Sequence, residues 1–100
     1  MSLATATLMH KLTAPSYFEL LQMLIKSYDG LTVNEMARQT GKPADTLEHT
    51  VTYLKHLGVI TFKSKVVHGS RLNYWRVVKP YYTLVLDMID LNNQFLKVHS

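Results

Sequence analysis

One hundred residues suffice for one small domain, and 47% apolar with 18% charged side chains excludes a wholly disordered chain. With no cysteine there is neither a disulfide framework nor a thiolate metal site, and no apolar run approaches the roughly 20 residues needed to cross a bilayer. The formal charge of +4 favours an acidic partner, and a cytoplasmic protein without a secretory signal is expected.

Residues 1–15 carry little pattern, so they read as an N-terminal arm or a short helix built on Leu8, Met9 and Leu12. Ser16 and Glu19 then stand at capping-box spacing directly after Pro15. Phe18, Leu21, Leu24, Ile25 and Tyr28 recur at helical intervals, and Leu20 and Met23 widen that stripe. A first core helix is expected here, ended by Asp29-Gly30.

Thr32 and Glu35 repeat the capping-box spacing at the start of a second, short helix carrying Val33, Met36 and Ala37, which Gly41 stops. Pro43 suits the first position of a third helix, where its missing N–H goes unused, and Asp45 meets the positive end of that helix dipole. Leu47, Val51 and Leu54 fall on one face of the third helix, and Asp45, His49, Thr52 and His56 on the other. Thr46, Glu48 and Tyr53 flank the polar face. A short helix, a turn and a longer helix with an exposed polar face make a helix-turn-helix, a unit that sets its second helix into a major groove.

After Gly58 the period changes to two. Ile60, Phe62 and Ser64 alternate with Thr61, Lys63 and Lys65, and His68-Gly69-Ser70 signals a turn. A return strand sets Leu72, Tyr74, Arg76 and Val78 against Asn73, Trp75, Val77 and Lys79. The result is a β-hairpin with its tip over His68 to Arg71. The positive excess lies in this part of the chain, in Lys63, Lys65, Arg71, Arg76 and Lys79, with no acid between Val59 and Pro80.

Pro80 closes the strand and opens a last helix with two apolar stripes: Tyr81, Leu84, Val85, Met88 and Leu91 in one, and Tyr82, Leu86, Ile89 and Leu96 in the other. Two stripes exceed what a surface helix of a small domain needs, so the excess is expected to meet a second copy of the chain. The dimerisation set is Tyr81, Leu84, Val85, Met88, Leu91 and Phe95. The expected organisation is residues 1–15 as the arm, 16–79 as the helix-turn-helix and hairpin domain, and 80–100 as the dimerisation helix.

The order of elements resembles the winged helix-turn-helix repressors of the ArsR, MarR and PadR kind. Leu54 through Ile60 (LKHLGVI) is similar to their link between recognition helix and wing, and Gly69 through Val77 (GSRLNYWRV) to their wing return. The likeness covers Ser16 to Val98. It implies an α+β, mainly α fold with a three-helix core, a two-stranded wing and a C-terminal dimerisation helix, and a homodimeric transcriptional repressor that binds double-stranded DNA. These families usually carry serine followed by arginine where this chain has Glu48 and His49.

On that reading the third helix brings Thr46, Glu48, His49 and Thr52 to base edges, with Lys42 and Tyr53 at phosphates and Asp45 also in the DNA-binding set. In the wing, Lys63, Lys65 and Arg71 follow the phosphate backbone, and Arg71 or His68 reaches the minor groove. The alternative is a winged-helix interaction module whose basic hairpin holds an acidic protein. No phosphate-binding glycine loop, nucleophile elbow or H-E-x-x-H motif occurs, so neither an enzyme nor a cofactor is expected. His49 and His56 stand seven residues apart on one face, too far to share a metal ion. Tyr74, Trp75, Tyr81 and Tyr82 read as core in preference to the lining of a ligand pocket, and the sequence names no effector.

Overall fold

The computed structural model describes residues 11, 12 and 14–99, with side chains as far as Gln94. The elements in chain order are α1 (Pro15–Ile25), α2 (Val33–Thr40), α3 (Ala44–His56), β1 (Ile60–Val67), β2 (Ser70–Val77), a 3-10 turn (Lys79–Tyr81) and α4 (Tyr82–His99). Three helices, an antiparallel hairpin and a terminal helix make an α+β, mainly α chain of winged-helix-like topology, as its sequence patterning leads one to expect. Most of the N-terminal arm lies outside the described residues, but Lys11 and Leu12 are helical and Leu12 is buried in the core.

The first helix departs from expectation at both ends. Pro15 takes its first position, and Ala14 is the N-cap with no side-chain hydrogen bond. The ring fixes φ near the helical value, so the helix starts one residue before Ser16 and the Ser16–Glu19 capping box does not form. At the other end the helix stops at Ile25, short of Asp29-Gly30, and the Ser27 hydroxyl donates to the Met23 carbonyl. Tyr28 therefore falls in the following turn and is 90% exposed, where the three-and-four spacing had placed it in the core stripe. Leu20, Leu21 and Leu24 are the residues α1 buries.

The second helix forms as its sequence dictates. Glu35 N–H donates to Thr32 Oγ1 and Thr32 N–H to Glu35 Oε1, both at 3.1 Å, so two orphan donors of the helix start are satisfied reciprocally. At its end Thr40 Oγ1 donates to the Met36 carbonyl and accepts from Lys42 N–H, which shapes the inter-helix turn. Pro43 is the N-cap of α3, with Ala44 in the first helical position that the sequence assigned to the proline. An extended ψ at Pro43 leaves the turn one residue longer than expected.

Helix α3 buries Leu47, Thr50, Val51 and Leu54. The Thr50 hydroxyl inside this face is satisfied by donating to the Thr46 carbonyl at 3.1 Å. Leu47, Val51 and Leu54 share one core cluster with Leu20, Leu21 and Leu24 of α1, Met36 of α2, and Val59, Ile60, Trp75 and Val77 at the base of the hairpin. Each such apolar side chain contributes about 1.5–3 kcal/mol by leaving water.

The hairpin pairs Ile60 with Val77 and continues in register to Val67 opposite Ser70. Only His68 and Gly69 remain as its turn, both with positive φ (51° and 79°), the backbone of a two-residue type I′ connection. The tip is thus tighter than the expected His68-to-Arg71 loop, and Arg71 sits inside β2 opposite Val66. The other edge of β2 is held as well: Leu31 N–H donates to the Trp75 carbonyl at 2.9 Å and Trp75 N–H to the Leu31 carbonyl at 2.8 Å. This short bridge ties the segment entering α2 to the wing, so the helix-turn-helix and the hairpin are held in one orientation.

The last helix also departs from expectation. Val85 and Met88 are 1% and 4% exposed within the single chain, and Tyr81, Tyr82, Leu84 and Ile89 pack partly against the same core. Val85 and Met88 therefore belong to the subunit's own core rather than to a surface awaiting a partner. Helical spacing cannot separate these two uses, because both demand an apolar stripe. Leu86 and Leu91 stay exposed at 52% and 56%, and the side chain of Phe95 lies outside the described residues. No described helix is long and apolar enough to cross a membrane.

Candidate nucleic-acid interface

The polar side of α3 is exposed at Asp45, Thr46, Glu48, His49, Thr52, Lys55 and His56. Leu47, Val51 and Leu54 anchor the opposite side in the core, so the rotation of the helix about its axis is set by packing. Tyr53 is partly buried and stacks on Tyr17 of α1, with ring centroids 5.1 Å apart and an interplanar angle of 25°. On another flank, the Lys55 ammonium lies 4.8 Å from the Phe62 ring centroid, which links α3 to β1.

Strand alternation sorts the cations of the wing. In the observed register Ile60, Phe62, Ser64 and Val66 share one face with Val77, Trp75, Asn73 and Arg71. This inner face packs on the core at its base, where Trp75 and Phe62 rings lie 4.9 Å apart. Lys63 and Lys65 are opposite Tyr74 and Leu72 on the outer face, together with Arg76, and Lys65 Nζ is 4.9 Å from the Tyr74 ring centroid. The three wing cations grouped by sequence are thus divided, Arg71 on the inner face and Lys63 and Lys65 on the outer. The alternation also sends Tyr74 and Trp75 to opposite faces, so these adjacent aromatics cannot line one pocket.

Between α3, the start of α2 and strand β2 runs an open cleft of about 340 Å³. Glu48 and Thr52 line it from α3, Asn34 from α2, and Arg71 and Asn73 from β2, with the buried Val51 and Trp75 also in its walls. The cleft is open and edged with charged and amide groups, unlike an enclosed apolar ligand cavity. Arg71 and two members of the exposed α3 face, Glu48 and Thr52, therefore share one concave surface.

Lys42 does not stand free. Its Nζ is 3.1 Å from Glu19 Oε2, the carboxylate that fails to cap α1. Both side chains are substantially exposed, so the pair contributes little stability, but it neutralises a cation otherwise available to a phosphate. Among the described residues no group of three or more histidine, aspartate or glutamate side chains converges as metal ligands. Asn34 and Asn73 border the cleft and Lys55 lies on the exposed side of α3, and no sequence motif marks them. Extending the inner-face alternation outward from Val77 and Trp75 reaches Asn73 and then Arg71, whereas Asn34 becomes relevant only through the Leu31–Trp75 bridge. No family model matches this chain, and no curated protein is similar enough to count as a relative.

Proposed function

We propose that the protein is a homodimeric winged helix-turn-helix transcriptional regulator of the ArsR, MarR and PadR kind, acting as a repressor at specific double-stranded DNA sites. The observation that carries the reading is the shared concave surface of α3 and β2, with Glu48, Thr52, Arg71 and Asn73 around it. A helix whose polar face is fixed by its buried side presents Asp45, Thr46, Glu48, His49 and Thr52 to base edges in a major groove. Arg71, on the same side, takes a phosphate and fixes register, and the tight His68-Gly69 tip lets the wing approach the flanking groove. Dimer formation is assigned to α4, whose exposed Leu86 and Leu91 flank the solvent side of the helix with Asp87 and Asp90 between them. Two-fold symmetry then calls for half-sites about 34–36 Å apart, or a multiple of that.

Selection of bound fragments from random duplexes, followed by His49→Ala, tests base reading. The variant is expected to lose roughly tenfold of its preference for the selected sequence while binding random DNA as before. Equal weakening on every sequence would remove His49 from readout. Glu19→Gln probes the phosphate role of Lys42. Freeing Lys42 should steepen the fall of log affinity with log salt by about 0.9 while stability changes by less than about 0.5 kcal/mol. An unchanged slope takes Lys42 out of the interface.

A further inference from the structure

We infer that the outer face of the wing is a second duplex-binding surface, so that one protein holds two DNA segments at once. The inference rests on the DNA-binding reading above and moves Lys63 and Lys65 out of the first-duplex contact that the sequence alone assigns them, since the register sets them on the face opposite Arg71. Lys63, Lys65 and Arg76 are exposed on this face, and none makes an ion pair among the described residues. Neither strand contains an acidic residue. The three cations rise on the side of the ribbon away from Trp75 and Arg71, so a duplex lying on α3 and the inner face leaves them pointing away from it.

Lys63 and Lys65 are two residues apart on one strand, about 7 Å, and Arg76 extends the row toward the base of the hairpin opposite Thr61. Tyr74 stands between the two strands' cations, and its contact with Lys65 holds that ammonium over the ribbon. A row of cations with no interspersed carboxylate matches a phosphate backbone, which carries one charge per about 1.7 Å of duplex axis. The α3 side differs in kind. There Asp45 and Glu48 offset Lys55, so that surface suits discrimination among bases, whereas the outer face suits a sequence-independent hold.

The test uses the full chain, one duplex immobilised through biotin and a second, fluorescent duplex in solution. Wild type should retain the second duplex, with its affinity for that duplex falling about 40-fold between 50 and 200 mM salt, as three phosphate contacts require. Lys63→Gln, Lys65→Gln and Arg76→Gln combined should abolish retention while changing affinity for the first duplex by less than twofold. Lys65→Arg, which keeps the charge, should retain it, and an unchanged thermal melt of the triple variant shows that it folds. Retention surviving in the triple variant would mean that two reading faces of a dimer do the bridging, and overturns the inference. A parallel fall in first-duplex affinity overturns it too, since the outer cations would then grip the same DNA. Wild type binding one duplex and no second defeats only this inference, whereas wild type binding no duplex at all defeats the DNA-binding reading itself.

Discussion

Gly30→Ala is expected to lower stability by about 2–4 kcal/mol and the melting temperature by at least about 10 °C. Two costs combine at this position. The backbone is in the left-handed region (φ +86°), which disfavours any residue with a Cβ by about 1–2 kcal/mol. An added Cβ also falls 2.7 Å from the Trp75 carbonyl oxygen and 3.2 Å from the Tyr74 carbonyl carbon, both backbone atoms that cannot rotate aside. Relief requires the Leu31–Trp75 bridge to open, and that bridge sets the angle between wing and helix-turn-helix. Gly69→Ala is the matched control, because its φ is also positive (+79°) but nothing lies within 4 Å of the added carbon. Thermal melts of the two variants separate the costs. Should Gly30→Ala melt no lower than Gly69→Ala, close packing of the bridge does not hold the wing in place.

Arg71→Ala is expected to leave the fold intact, since the side chain is exposed, yet to weaken binding to duplex DNA about five- to tenfold near 0.1 M salt. The slope of log affinity against log salt should flatten by about 0.9, as it does when the protein neutralises one phosphate fewer. Arg71 differs from Lys63 and Lys65 in this respect because of its position in the register: it pairs with Val66 and shares the inner face with Asn73 and Trp75. Binding isotherms at several salt concentrations, on selected and random duplexes alike, measure both quantities. The weakening should be similar on both, because a phosphate contact positions the protein without reading sequence. An unchanged slope would remove the inner face of the wing from the mechanism.

Local chemistry made much of the architecture legible in the sequence. Thr32 and Glu35 close a capping box that depends on four consecutive residues, and the alternation after Gly58 needs only the pleat of a strand. The same spacing misled at Ser16 and Glu19, since the adjacent proline is the stronger start signal. Features made by residues distant in sequence were not legible. Glu19 reaches Lys42 across 23 positions, and Tyr17 stacks on Tyr53. The division of Arg71 from Lys63 and Lys65 requires the register, which a two-residue turn fixes and a four-residue tip does not. Apolar periodicity in α4 could not say whether Val85 and Met88 meet their own core or another copy, because hydrophobic burial carries no label for its partner.

The proposed function requires α3 and the inner face of the wing to form one DNA-contacting surface. That requirement is best met head-on by titrating a short selected duplex into the isotopically labelled protein and following backbone amide shifts by NMR, up to one duplex per dimer. The largest changes are expected at Asp45, Glu48, His49, Thr52, Arg71 and Asn73, with α1 and the first half of α4 little affected. Changes confined to α4, or to Lys63, Lys65 and Arg76 with α3 silent, would refute it.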